Sequence, residues 1–437
     1  MKKRLVSRGT YSKQRGVTAL LVTALLLMGT LAFALGSYRG VFYQIKVANN
    51  QIDDRKAHWR SEGGLECGFS SMVFNNDSSI PTNLNSICSD MDLNSLQASV
   101  SDPERLVARY NNKKVSKSIT FSSGTGAGAV KSTSDLLIRG STLISPPDPG
   151  YRNSEGDYEC VAVVVSNYIL ATYGMVNDGV GEAITKPSAD FDNSSDCAAG
   201  YKTDIEDVNV GIWRDSSNNH VSFHAENDLQ HDETLNPFKE LFEKERGEWE
   251  QVRDNPENEF LTYTMLGSDI NCVDKFKNDL ILGKPNKVWI DGSCQLDSSE
   301  VHTIQSSNPG TYLFLIVHNG VLSISGAATI EGVLFHFNES YAAHPDNWQG
   351  FTNIADLNFT FDAPISMLYG ESTLLTPKHA TFFQSGSMQF TGGMIFDTRG
   401  QMALFNNSMR LQFNSDITSS FEFSAKPKWK KGSWSDH

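Results

Sequence analysis

The chain has 437 residues, 39% of them hydrophobic, with 37 basic side chains against 51 acidic and a formal charge of -14. That balance argues against nucleic acid as the main partner, since binding to phosphates draws on clustered Lys and Arg. With 10% aromatic and only 20% charged residues the composition excludes a wholly disordered chain. The length suits two domains, or one elongated body with an anchor. Charge is unevenly spread. Lys2, Lys3, Arg4, Arg8, Lys13 and Arg15 face no acid within residues 1–15, which leaves 31 basic against 51 acidic for the remainder.

From Val17 to Leu35 the sequence runs nineteen residues without a charge. As a helix this stretch reaches roughly 28 Å, close to the hydrocarbon thickness of a bilayer. The basic cluster ahead of it keeps residues 1–15 in the cytoplasm and exports the rest. A competing reading is a secretory signal cut near the small residues of Ala32–Gly36. Beyond the apolar run, Val41, Ile45, Ala48 and Ile52 recur at helical spacing with no Pro before Glu66. The helix is therefore expected over 17–66, membrane-spanning at 17–35 and amphipathic afterwards.

Two short strings bracket this helix. Gln14-Arg15-Gly16 directly precedes the apolar run, and Arg60-Ser61-Glu62-Gly63-Gly64-Leu65-Glu66 stands near its expected end. Together they resemble the type IV pilin-like minor pilins of the PilX family. The resemblance covers residues 14–70. It implies that residues 1–16 are a class III leader, which a prepilin peptidase cuts between Gly16 and Val17, and that the new Val17 amine is methylated. Glu62, Gly64, Leu65 and Glu66 carry the signature that ends the family's N-terminal helix. Leu21 occupies the fifth mature position, where most major pilins have Glu; its absence is typical of PilX-like and type II secretion K-like minor subunits. The partners implied are other minor and major pilins, the prepilin peptidase, the inner membrane and a surface ligand, with no nucleic acid and no cofactor. The implied location is the inner membrane, with the body periplasmic, and then the pilus or cell surface.

Six cysteines follow, Cys67, Cys88, Cys160, Cys197, Cys272 and Cys294, with no CxxC among them. An even number in an exported chain favours disulfides over thiol chemistry. Spacings of 21, 37 and 22 residues favour pairing each cysteine with its neighbour in sequence; buried free thiols are the alternative.

Residues 67–215 read as a Cys-containing β-rich subdomain. Ser122–Ala129 is Gly-rich and link-like, Leu136–Ile138 and Cys160–Val165 are strand-like, and Pro146–Gly150 makes a turn. Residues 216–284 read as a helical insert. Asn236-Pro237 is a cap followed by Pro, and Phe238, Leu241, Phe242, Trp249 and Val252 keep helical period; a second helix is expected from Asp269 to Asn278.

From 285 to 437 short apolar runs succeed one another: Val288–Ile290, Leu313–Val317, Val321–Ile324, Ile330–Phe335, Leu357–Phe361, Ile365–Tyr369, Thr381–Phe383, Met388–Phe390, Met394–Phe396 and Met402–Phe405. Asn319-Gly320 ordinarily marks a hairpin. With so little connecting sequence, the runs also fit the coils of a parallel β-helix, each burying its apolar side on the next; an antiparallel β-sandwich stays open. Gly320–Gly326 and Ile330–Val333 look like a pattern found in PilX-like proteins with large bodies. The fold class is thus α+β: a long transmembrane and amphipathic helix, then a β-rich body with a helical insert and a β-helix-like or sandwich-like end. The tail sets Trp429 and Trp434 among Lys426, Lys428, Lys430 and Lys431, suited to packing on the β body or to touching an acidic or lipid surface.

Catalytic motifs are absent: there is no GxSxG, HExxH or GxxxxGK[ST]. His220, His224, Glu226, Asp228, His231, Asp232 and Glu233 form the nearest thing to a metal cluster, read here as a solvated acidic loop with no metal. Asp190–Asp196 begins like a calcium loop but has Ser195 and Tyr201 where the loop needs Gly and Glu; the resemblance to type II secretion K-like subunits, which bind calcium, leaves an irregular calcium site open. Asp291 with Glu331 is a candidate acid pair. A membrane-anchored β-helix protein acting on or binding surface polysaccharide is the competing function.

Overall fold

The computed structural model describes residues 15–75, 80–100, 102–120, 128–153, 155–181, 183–189, 191, 194–215, 217–361, 376–421, 427–430 and 432–436. An N-terminal long apolar helix is followed by a strand-rich body with parallel sheets, and the chain divides into two compact units. One comprises residues 1–120 with 427–437, the other residues 121–426. The boundaries expected at 215/216 and 284/285 fall inside the second unit, because ladders there join strands from both sides of them.

In the first unit α1 (Arg15–Asn75) is a single uninterrupted helix, longer at both ends than the expected 17–66. It is followed by the short α2 (Leu84–Ile87) and an antiparallel meander of β1 (Ser95–Ala98), β2 (Arg105–Tyr110) and β3 (Lys113–Thr120). Ala57, Ser61, Gly64, Leu65, Gly68 and Met72 are buried along one stripe of α1, the spacing of a helix face laid on a sheet. The C-terminal segment returns to this unit. Lys428-Trp429 and Ser435-Asp436 both pair with β3, and Trp429 stacks on Phe69 of α1 at 4.4 Å.

In the second unit the first pass gives β4 (Val130–Ser132), β5 (Asp135–Arg139) and β6 (Thr142–Ile144). A hairpin of β7 (Asp148–Arg152) and β8 (Tyr158–Val161) leads to a second pass, β9 (Val163–Val165), β10 (Ile169–Ala171) and β11 (Gly174–Asn177). Four strands then close this end: β12 (Asp204–Glu206), β13 (Val210–Arg214), β14 (His220–Phe223) and β15 (Leu229–His231). The chain crosses through α3 (Pro237–Phe242) and α4 (Trp249–Arg253) to β16 (Phe260–Thr264), then α5 (Val273–Phe276). Next come β17 (Asn286–Asp291) with β18 (Cys294–Asp297), α6 (Ser298–Ser307), and β19 (Leu313–His318) with β20 (Leu322–Ser325) and β21 (Thr329–Ile330). The last two passes are β22 (Gly332–Phe337) with β23 (Ala380–Ser385) and β24 (Gln389–Phe390), then β25 (Met394–Asp397) with β26 (Met402–Asn406) and β27 (Met409–Leu411).

These strands stack by sheet rather than in chain order. One eight-stranded sheet runs β15-β9-β4-β25-β22-β19-β17-β16 and is parallel throughout. The second runs β14-β13-β10-β5-β26-β23-β20-β18, antiparallel only at β10, β13 and β14. A four-stranded sheet, β12-β11-β6-β27, forms a third face. The chain therefore coils outward from β4 to β15, crosses to the far end at β16, and coils back until β25 lies beside β4. Seven strand spacings of about 4.8 Å make that crossing roughly 34 Å long.

Both faces of the large sheets are buried, which explains the continuous apolar runs. Leu315 and Val317 enter the interior core, while Phe314 and Ile316 pack outward with Phe238, Leu241 and Val252 of the crossing. On the second sheet, Leu136 and Ile138 point inward, and Leu137 packs with Trp348, Phe351 and Leu357.

Several local expectations change. Asn319-Gly320 makes a corner between two different sheets rather than a hairpin. Asn319 has a φ of 52°, and a Cβ on Gly320 would lie 2.3 Å from the Gly292 carbonyl carbon of the neighbouring pass. The helix expected through Val252 breaks at Glu243, whose φ is 54°, and restarts with a capping box of Glu245 and Glu248. The helix expected over 269–278 shrinks to Val273–Phe276, because the Ile270 carbonyl accepts a hydrogen bond from Gln295 N–H of β18. Leu357–Phe361 is not a strand; Ile354–Leu357 is a 3-10 turn packed over the second sheet. The run at 365–369 lies outside the described residues. The disulfides join Cys67 to Cys88, Cys160 to Cys197 and Cys272 to Cys294.

Candidate functional site

Among the described residues, one helix is long and apolar enough to cross a membrane, and it is α1. Its most apolar window has a mean hydropathy of 2.3 and none of it is buried. Gly16 is exposed in the first turn, with no neighbour near the position of a Cβ; Val17 and Leu21 are 69% and 59% exposed. Leu25, Leu26, Leu31 and Phe33 are exposed likewise. The rest of the expected leader, residues 1–14, lies outside the described residues.

The signature residues sit where the same helix meets the meander. A Cβ on Gly64 would fall 2.3 Å from Leu93 Cδ1, so its missing side chain lets Leu93 lie against the helix. Leu65 is buried, and Glu62 lies 3.8 Å from His58 one turn earlier. Glu66 accepts a hydrogen bond from Trp429 Nε1 at 3.4 Å and pairs with Lys117 at 3.7 Å, while Lys117 Nζ stands 4.2 Å over the Trp429 ring. Gly68, which the signature does not include, faces fully buried side chains: its Cβ position is 3.2 Å from Leu96 and 3.3 Å from Leu106. Two glycines four residues apart share one helix face, and that spacing is the signal that marks Gly68.

In the second unit, Asp291 is held within a closed cluster. Its carboxylate accepts from His318 Nδ1 at 2.6 Å, Trp289 Nε1 at 3.0 Å and Arg253 Nη1 at 2.8 Å. Burial pushes this carboxyl up, but His318, Trp289 and Arg253 together hold it below the usual range. The His318 side chain is 2% exposed, under Trp249 at 4.2 Å and beside Phe337 at 5.1 Å. Through Arg253, which reaches Asp291 from α4, this aspartate–histidine pair ties the crossing to the sheet, with the Asp291 side chain still 22% exposed. Glu331 is exposed, so Asp291 and Glu331 do not share an environment. Asp397 is another buried acid, paired with Arg246 and accepting from Thr133 Oγ1 at 2.9 Å. Burial pushes its carboxyl up, and Arg246 is the first group to oppose it.

The acidic and histidine residues around 220–233 separate into individual roles. Asp228 is fully buried and accepts from Asn177 Nδ2 at 2.8 Å and Thr203 N–H at 3.1 Å. Asp232 caps Thr234, and His224 and Glu226 face solvent. His220, His231 and Glu233 do converge, which corrects the reading of this region as only a solvated loop. In the calcium-like string, the Asp196 carboxylate already accepts from Val180 and Gly181 N–H and from Lys202 Nζ. Asp190, Asp192 and Asn193 lie outside the described residues.

One hollow of about 510 Å³ opens on the four-stranded face, between Tyr173, Glu206, Asp207, Ser408 and Arg410. Tyr173 is 56% exposed, and Arg410 Nε and Nη2 have no hydrogen-bond partner. Comparison with family models, with curated proteins and with solved structures finds no match to this chain.

Proposed function

We propose that the chain is a minor type IV pilin-like subunit, related in kind to PilX, whose N-terminal helix waits in the inner membrane and then packs into a pilus or pseudopilus. The observation that carries this reading is α1 itself, 61 residues without a break, uncharged and nowhere buried from Val17 to Leu35 and striped where it docks. An apolar helix of this kind is as stable among like helices as in lipid, so assembly exchanges one apolar environment for another. Leu21 brings no carboxylate into that bundle, and so needs no partner amine from a neighbour above. A tip position, priming assembly or displaying an adhesive surface, follows from that and from the bulk of the body. We read the stacked passes of the second unit as a parallel β-helix.

Gly16→Phe blocks the proposed cleavage. It is expected to leave full-length precursor in the membrane fraction and to remove the protein from sheared fibres. Normal processing with normal recovery in fibres would defeat the reading. A second reading, an anchored β-helix binding surface polysaccharide, draws on the Tyr173–Arg410 hollow, where an exposed ring and an unpaired guanidinium suit a sugar. It requires polysaccharide binding in the absence of any fibre.

A further inference from the structure

His220 opens β14 and His231 closes β15, the outermost strands of the two large sheets at the same end of the stack. Their rings stack with centroids 3.6 Å apart. The His220 side chain is only 10% exposed, yet neither Nδ1 nor Nε2 has a hydrogen-bond partner. A buried imidazole without partners is a costly feature that calls for an explanation. His231 Nε2 lies 3.2 Å from the Ser166 carbonyl oxygen. That oxygen can only accept, so Nε2 carries a proton, and the neutral ring then has its lone pair on Nδ1. A ligating histidine is ordinarily oriented in this way, by donating its other ring N–H to a carbonyl. Glu233 brings an oxygen to 3.9 Å from His220 Nε2, and one donor atom from each of the three residues lies within 4.8 Å of the others.

We propose that His220, His231 and Glu233 form a binding site for a zinc-class divalent ion that clips β14 to β15. Two imidazoles and one carboxylate suit zinc, cobalt or nickel rather than calcium or magnesium, which prefer oxygen ligands. Bonds of about 2.0–2.2 Å in a tetrahedral set bring donors to roughly 3.3 Å from one another. The set must therefore close by about 1.5 Å, and Glu233, whose side chain is 69% exposed, is free to swing. The fourth position is left to water. Of the three, Glu233 also lines a polar hollow of about 370 Å³ with Thr133, Ser166, Asn167 and Arg399 among others. All six cysteines are in disulfides, so no thiolate competes for the ion.

The test is titration of the full-length, metal-stripped chain in detergent with Co²⁺ and Zn²⁺. Calorimetry gives stoichiometry, and the visible bands of four-coordinate Co²⁺ report geometry. One equivalent is expected to bind, with four-coordinate bands and a rise in melting temperature. Glu233→Gln and His220→Gln should each weaken binding by about tenfold or more, while His224→Ala leaves it unchanged. Glu233→Gln alters an exposed side chain, so it decides the matter even if the His220 variant fails to fold. Absence of a bound equivalent in the wild type, or uptake unaltered in Glu233→Gln, overturns the proposal.

Discussion

Gly68 lies against Leu84, Leu96 and Leu106, which are 0%, 1% and 0% exposed. A leucine there would gain up to about 1 kcal/mol of helix propensity over glycine. Overpacking a filled core costs about 1–3 kcal/mol, so packing wins. Gly68→Leu is expected to lower stability by about 1–2 kcal/mol in a denaturant titration of the purified chain. Glu300 offers a residue-scale test by pH. It pairs with Asp297 in a capping box, Glu300 N–H donating to Asp297 Oδ1 at 2.9 Å and Asp297 N–H to Glu300 Oε2 at 3.0 Å. Burial pushes its carboxyl up to about 7, with the charges of Asp297 and Asp274 adding to the rise. A raised folded pKa means the native state holds a proton that the unfolded chain has released. This contribution is complete below the unfolded value of about 4.5 and is lost as pH climbs through about 7. Glu300→Gln keeps the cap and removes the titration. Melting temperatures at pH 5 and pH 8 should therefore fall less for the variant than for the wild type; equal slopes would refute the shift.

At the scale of elements, the crossing from β15 to β16 fixes the order in which the passes stack. Arg246 from this segment reaches Asp397 at the end of β25, where the acid is 0% exposed and the Arg side chain 13%. Removing one partner strands a buried charge, at a cost of about 3–5 kcal/mol. Arg246→Ala is expected to destabilise by about that amount, and Asp397→Asn placed beside it should recover part of the loss. Additive losses in the double variant would count against the pair. The strand runs of the body were legible from apolar residues and glycines: Leu313–Val317 and Met402–Phe405 lie within β19 and β26. The crossing was not, because Phe238, Leu241 and Trp249 keep one helical period across a break made by Glu243. Partner sheets were also hidden, since β25 beside β4 is a contact across more than half the sequence. The helix α6 was missed although Asp297 and Glu300 stand at capping-box spacing. Among the candidate metal ligands, His220 and His231 belong to different sheets, and the spacing within one loop could not reveal that they meet.

For the whole molecule, the proposed function asks one long helix to serve both anchoring and assembly. Its exposed apolar length is too large to be left in water, and on that proposal lipid or other helices cover it. Its docked half carries Gly64, Leu65 and Gly68, so the membrane-length half and the meander are joined without a hinge in α1. On the proposed reading, loss of the apolar half by cleavage would leave the protein without its means of joining a fibre. The most direct measurement is therefore the intact mass and N-terminal sequence of the protein recovered from cells. A mature chain beginning at Val17, with the apolar helix retained, is the predicted result. A chain beginning near residue 36 would contradict the account.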